Sequence, residues 1–263
     1  KQKTPHSHIP YHHTAAHSTA LMAAAAMEPR EVKLYGAWGS AHAAMARNAL
    51  ALKGVRYEYV EEDLDNKSET LLRLNPVHGK VPVLVVDGRP LAESLVIIEY
   101  ADEAWPEGRG YPPALLPGAP RARAAARFWA RFFHDEVSPL SRAVVLADAR
   151  AEREELAREV KERMAVMEAG IAEDFPCGRE EGPFVHGRSP GLLDVILGSC
   201  SSGTRVLSAV SGVDIVEPGA TPRVHASVAA FDELAAGFGT TVPHELLLAR
   251  LLERKARSRA AAA

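Results

Sequence analysis

From residue 32 onward the apolar and polar positions change period several times along the chain. "VKLYGA", residues 32 to 37, alternates as a half-buried strand does, and the alanine-rich stretch from Ser40 to Lys53 has helical spacing and stops at Gly54, a residue suited to a C-terminal cap. "YEYVEED" predicts a second strand and "KSETLLRLN" a short second helix. In "VPVLVVDGRPLAES" two β-rich runs meet at Asp87-Gly88, a hairpin pattern, and "SLVIIEYADEAW" predicts a third helix.

Proline and glycine then crowd "PEGRGYPPALLPGAP", which stops helices and marks a boundary. Beyond it, apolar residues recur at helical spacing, first as Phe128, Trp129, Phe132, Phe133 and Val137, then as Leu156, Val160, Met164, Met167 and Ile171. Trp129 and Phe128 read as core residues on this pattern. Further helices are predicted around "GLLDVILGSCSSGTRVLSAV", "TPRVHASVAAFDELAAG" and "PHELLLARLLERKAR", with the terminal "ARSRAAAA" frayed. The fold class is α/β plus all-α. The order β-α-β-α-β-β-α defines a thioredoxin-like domain over residues 31–106, followed by a linker at 107–120 and a helical bundle domain over 121–258.

The first thirty residues lie outside this pattern. They contain no acidic residue before Glu28 and hold five of the eleven histidines, His6, His8, His12, His13 and His17. They read as an extension from an over-long gene prediction, with a transit peptide as the alternative, and a disordered histidine-rich tract requires no metal.

Composition narrows the partners. Of the 263 residues 47% are hydrophobic and 25% charged, as in ordinary globular chains, and the formal net charge of -3 supplies no attraction for nucleic acid or an anionic membrane. No apolar run approaches a membrane span. Cys177 and Cys200 form no C-x-x-C and no metal spacing, which fits a reducing, cytoplasmic setting without disulfides or a metal.

Three places carry candidate chemistry. Ser40 stands where the first strand ends and the first helix begins, either as a plain N-cap or as a hydroxyl facing a ligand. The Val81-Pro82 bond precedes a strand, where a proline cannot join a central ladder. It is either an edge proline or a cis bond that turns the Val81 N–H and C=O outward toward an extended peptide. Glu93 and Ser94 open the third helix, whose free N–H groups and dipole suit a carboxylate. Ser94 is then a donor to that carboxylate and Glu93 a partner for an ammonium group, or the two are a cap and a solvated side chain. In a β-α-β-α-β-β-α fold the three places converge on one edge.

The segment from "LYGAWGSAHAAMARNALALKGVRYEYVEEDL" through "NKS", "NPVHGKVPVL" and "ES" to "ADEAW" resembles the N-terminal domain of the plant tau-class glutathione S-transferases, and "ALLPGAPRARAAARFWARF" and "GLLDVIL" extend the resemblance. The resemblance implies a cytoplasmic homodimer that conjugates glutathione, as co-substrate, to electrophilic small molecules such as xenobiotics, herbicides or oxidised lipids. The alternative is a weakly or non-catalytic binder of flavonoids or hormones. By the same resemblance Ser40 is the catalytic serine, Val81 pairs through its backbone with the cysteinyl part, Glu93 and Ser94 hold the γ-glutamyl head, and Lys67 and Lys80 stand near the glycyl carboxylate. Trp38 and Arg142 belong to the acceptor site. Asp194 anchors its helix in a folding role.

Several positions depart from the family pattern. Gly39, Ala41 and His42 replace the prolines and the aromatic residue around the serine, which predicts a looser Ser40 loop, with His42 either an acceptor-site contact or an ordinary helix residue. Gly79 stands where a second lysine is expected beside Lys80, one charge fewer at the glycyl end. Small residues at Ala37, Ser138, Val145 and Gly203 predict a wide acceptor pocket.

Overall fold

The computed structural model describes residues 31–106, 114–176 and 182–262. The expected N-terminal extension, residues 107–113 of the expected linker, and Cys177 lie outside the described residues.

Residues from Glu31 onward form one compact unit. Its first part runs β1 (Val32–Gly36), α1 (Ala41–Leu52), β2 (Glu58–Glu61), α2 (Glu69–Leu74), β3 (Val83–Val86), β4 (Arg89–Ala92) and α3 (Ser94–Ala104). This is the thioredoxin-like order that the hydrophobic pattern predicts. The sheet order is β2-β1-β3-β4. β1 and β2 are parallel, as a helical crossover requires, while β3 runs antiparallel to both β1 and β4. Asp87, at φ 47, and Gly88, at φ 77, turn the β3–β4 hairpin through two left-handed positions, the conformation that an Asp-Gly pair accepts at least cost.

The alanines of α1 have a packing reason. Ala46 and Leu50 pack toward the sheet with Leu34, Leu84 and Ile97, while Met45, Ala49 and Leu52 belong to the core of the helical part with Trp129, Met167 and Leu193. A helix buried on both sides takes small residues where its neighbours come close, and each fully buried leucine contributes about 1.5 to 3 kcal/mol. α1 is the common wall of both halves.

The helical part consists of α4 (Pro120–Phe132), a π-helical turn (Phe133–Val137), α5 (Ser138–Leu146), α6 (Arg150–Asp174), α7 (Leu192–Ser199), α8 (Ser201–Ser211), α9 (Pro222–Phe238) and α10 (His244–Ala262). Three expectations are corrected. Phe128 is 59% exposed, because the apolar stripe turns inward through Ala126, Trp129, Ala130 and Phe133 instead. The stretch read around 191 to 210 is two helices that meet at Cys200. The last helix continues to Ala262 where fraying was expected.

Asp194 shows how this half is locked. Its carboxylate is fully buried and accepts hydrogen bonds from Gly191 N and Val185 N, both at 2.8 Å, and from Ser227 Oγ at 2.6 Å. It thereby caps α7 and ties it to α9. Burial pushes its pKa up to about 6, against those three donors, which favour the charged form. Glu168 on α6 caps α9 in the same manner, accepting from Arg223 N and Val224 N.

Candidate active site

The sheet register brings the three sequence candidates to one edge. Tyr35 pairs with Val83, and Val83 pairs with Ala92. Counting one or two residues beyond those pairs sets the end of β1, the Val81-Pro82 bond and the Glu93–Ser94 junction side by side. Val81-Pro82 is cis.

Ser40 is the N-cap of α1, with extended backbone angles and its Oγ accepting from Ala43 N at 3.2 Å. Its own N–H is held by Ala37 O at 2.9 Å. The hydroxyl thus uses a lone pair for capping, and among the described residues its proton is committed to no acceptor. The capping reading and the ligand reading are therefore compatible in one side chain. The helix behind it turns its N-terminal N–H groups and the positive end of its dipole the same way.

Glu93 precedes α3 at φ 75, a left-handed conformation that costs a non-glycine residue on the order of 1 to 3 kcal/mol. The exposed Glu93 carboxylate faces His78 Nε2 at 3.7 Å. Ser94 is the first residue of α3 and only 2% exposed. Its Oγ lies 3.4 Å from His134 Nε2 on the π-helical turn.

Lys67 and Lys80 are both exposed, on loops that other side chains hold in shape. Beside Lys67, Ser68 caps α2 through Leu71 N and donates its own hydroxyl to the buried Glu62 at 2.7 Å. Before Lys80, the buried Asn75 donates to Lys80 O at 3.0 Å and accepts from His78 N. Neither lysine has an ion-pair partner among the described residues, which leaves two cations for an anionic ligand. Gly79 sits at φ 55, and a Cβ there would stand 3.1 Å from Leu72 Cδ2. The backbone itself favours glycine at this position, so the missing lysine has a conformational reason.

The Ser40 loop is not an open one. Gly39 lies against α10, a Cβ on it meeting Leu247 Cδ1 at 3.1 Å, and Trp38 N donates to Glu61 Oε1 at 2.8 Å. α10 then continues to the β2–α2 loop, where Arg254 and Arg257 both pair with Asp65. Of the expected acceptor-site residues, Trp38 is half-buried on the β1–α1 turn. Arg142 is exposed on α5, its side chain in no hydrogen bond or ion pair among the described residues. Ala37 is buried, so it does not widen a pocket, whereas Gly203 faces open space.

His42 departs from expectation. It is mostly buried and its ring meets that of His134, with centroids 5.0 Å apart and planes tilted by 47°. Burial, with the His134 ring pushing the same way, lowers its pKa to about 4. His134 itself carried no sequence signal, since the contact joins two helices ninety residues apart. Among the described residues no group of three or more His, Cys, Asp or Glu is placed to hold a metal ion, and no helix is long and apolar enough to cross a membrane.

Comparison with known proteins gives a consistent answer. Residues 30–103 match the family described as "Glutathione S-transferase, N-terminal domain". Glutathione S-transferase U10 of Arabidopsis thaliana is 37% identical over 224 residues, 84% of this chain and 93% of its own length. The probable glutathione S-transferase GSTU6 of Oryza sativa subsp. japonica is 40% identical over 196 residues, 74% of this chain and 82% of its own. Among solved structures, the tau class glutathione S-transferase MiGSTU from mango superposes with a TM-score of 0.75 at 33% identity, over 86% of this chain and 100% of that one. Rice GST1 (OsGSTU1), solved in complex with glutathione, gives a TM-score of 0.74 at 30% identity, over 88% of this chain and 98% of that one.

Proposed function

The chain belongs to the tau-class glutathione S-transferases, and on that premise we propose that the Ser40 hydroxyl donates to the sulfur of bound glutathione and holds it as the thiolate for attack on small electrophiles. The observation that carries this reading is the state of that hydroxyl: its lone pair caps α1 while its proton is uncommitted among the described residues.

The energetics suffice. A free thiol titrates near 8.5, and lowering that by roughly two units requires about 2.7 kcal/mol of preference for the thiolate. A hydrogen bond to a charged group contributes on the order of 1.5 to 3 kcal/mol, and a helix N-terminus adds roughly 0.3 to 1. Serine acts as a donor and not as a nucleophile, so it needs no histidine–carboxylate pair to activate it. In the reaction the sulfur lone pair forms a C–S bond while the leaving group departs with its electron pair. With a conjugated acceptor, the adjacent carbon instead takes a proton from solvent.

The remaining residues bind. The Val81 main chain pairs with the cysteinyl unit, Ser94 and the α3 N-terminus take the γ-glutamyl carboxylate, and Glu93 takes its ammonium group. Lys67 and Lys80 face the glycyl carboxylate. Supporting this division are the shared sheet edge, the strained Glu93 backbone and the two cations without ion-pair partners among the described residues. Trp38 and Arg142 contribute to the acceptor site. A cytoplasmic homodimer that handles xenobiotics, herbicides or oxidised lipids is the setting we infer. The test is conjugation of an activated aryl chloride by Ser40→Ala. Turnover should fall on the order of a hundredfold, the loss of about 2.7 kcal/mol from the barrier, with glutathione binding changed far less. Unchanged turnover would remove Ser40 from the mechanism.

A further inference from the structure

The contact between Ser94 and His134 belongs to a built arrangement. Three elements meet there: α3 contributes Ser94, the π-helical turn contributes His134, and α1 contributes His42, two residues after Ser40. A π-helical turn inserts a residue into the helical repeat and re-aims the side chains on it, and such turns recur at functional sites. The re-aimed side chain here is an imidazole, seated against a second imidazole and within reach of a buried hydroxyl.

Burial disfavours the charged form of both rings. It lowers the pKa of each, and Lys80 lowers His42 further, while Glu93 opposes the shift at both. Asp135, beside His134 on the π-helical turn, raises its pKa, and Arg131, at the end of α4, lowers it. A neutral imidazole carries one N–H, and where it points fixes the hydroxyl it faces. If Nε2 accepts from Ser94, the hydroxyl proton is consumed inside the protein. If Nε2–H donates to Ser94 Oγ, that proton is left for an incoming acceptor.

Resting on the reading of Ser94 as a γ-glutamyl contact, we propose that His134 is a positioning residue whose Nε2–H donates to Ser94 Oγ and commits the Ser94 hydroxyl proton to the γ-glutamyl carboxylate. The ring of His42 packs on His134 and limits its swing. The distance of 3.4 Å is long for a hydrogen bond, as expected of a site that tightens when the ligand draws the serine proton outward. Since the carboxylate is far from the reacting sulfur along the tripeptide, the contribution is to glutathione binding and not to the chemical step.

Two polar replacements separate positioning from packing. The amide nitrogen of glutamine reaches the place of Nε2, and that of asparagine stops at the place of Nδ1. His134→Asn should raise the glutathione KM about tenfold with kcat at saturating glutathione within twofold of the parent. His134→Gln should keep KM within twofold. Ser94→Ala should raise KM by as much as His134→Asn, and the double variant should be no worse than Ser94→Ala alone. An unchanged KM in His134→Asn, with Ser94→Ala still impaired, overturns the role of His134 and leaves the Ser94 assignment standing. An unchanged KM in Ser94→Ala overturns the γ-glutamyl reading itself. Equal losses of kcat and thermal midpoint in the asparagine and glutamine variants, without rescue by glutamine, would show a packing role and overturn the proposal.

Discussion

Lys53 Nζ lies 3.0 Å from Asp102 Oδ1, with the lysine side chain 0% and the aspartate side chain 10% exposed. The same carboxylate accepts from Leu115 N at 2.7 Å and Leu116 N at 3.1 Å. One aspartate on α3 therefore fixes both the end of α1 and the chain as it enters the helical part. Asp102→Ala leaves a buried ammonium and two N–H groups without this acceptor, a change that typically costs about 3 to 5 kcal/mol. Urea denaturation should show a loss of that size. A loss below about 1 kcal/mol would mean that the pair is not a tether.

His186 sets part of the acid sensitivity. Both ring nitrogens are buried without a hydrogen-bond partner among the described residues, its ring stacks edge-on against Phe175, and burial lowers its pKa to about 4. The unfolded chain protonates this ring near 6.5, so the stability it contributes is whole above that pH and is lost as pH falls toward 4. Asp194 works in the opposite sense. Its folded pKa of about 6 exceeds the unfolded value, so its contribution is greatest below about 4 and is lost as pH rises through 6. His186→Leu should be neutral or stabilising at pH 7, because it removes two unsatisfied nitrogens, and should cut the stability lost between pH 6.5 and 4 by up to about 3 kcal/mol. An unaltered acid profile would contradict this account of the ring.

Gly79 tests the conformational explanation for the missing lysine. At φ 55 a side chain costs roughly 1 to 2 kcal/mol, and the new Cβ meets the end of the exposed Leu72 side chain, which can move. Gly79→Ala should destabilise the fold by about 1 kcal/mol and weaken glutathione binding by displacing Lys80 and Val81. Full stability and affinity in this variant would show that the loop tolerates a side chain there.

Elements were legible in the sequence where local chemistry decides them. β3 and β4 followed from Asp87-Gly88, α1 from the spacing between Ser40 and Gly54, and the α4 start from the proline-rich stretch before it. Ser40, Val81, Glu93 and Ser94 could be placed because strand ends in this topology share an edge. What the sequence concealed depends on contacts between distant elements. Aromatic spacing points Phe128 inward, whereas the buried stripe of α4 runs through the small residues Ala126 and Ala130 beside Trp129 and leaves Phe128 outside. His42 looked ordinary until its neighbour arrived from ninety residues away, and α10 keeps its helix to Ala262 while Asp65 and the 145–148 carbonyl and carboxylate groups hold its basic face.

The most direct measurement is ultraviolet titration of the glutathione thiolate bound to the parent protein and to Ser40→Ala. The parent should show the sulfur ionising about two units below its free value near 8.5, and the variant should return most of that shift while still binding the tripeptide. A bound thiol with the same pKa in both proteins would contradict the central claim that the hydroxyl at the head of α1 holds the anion.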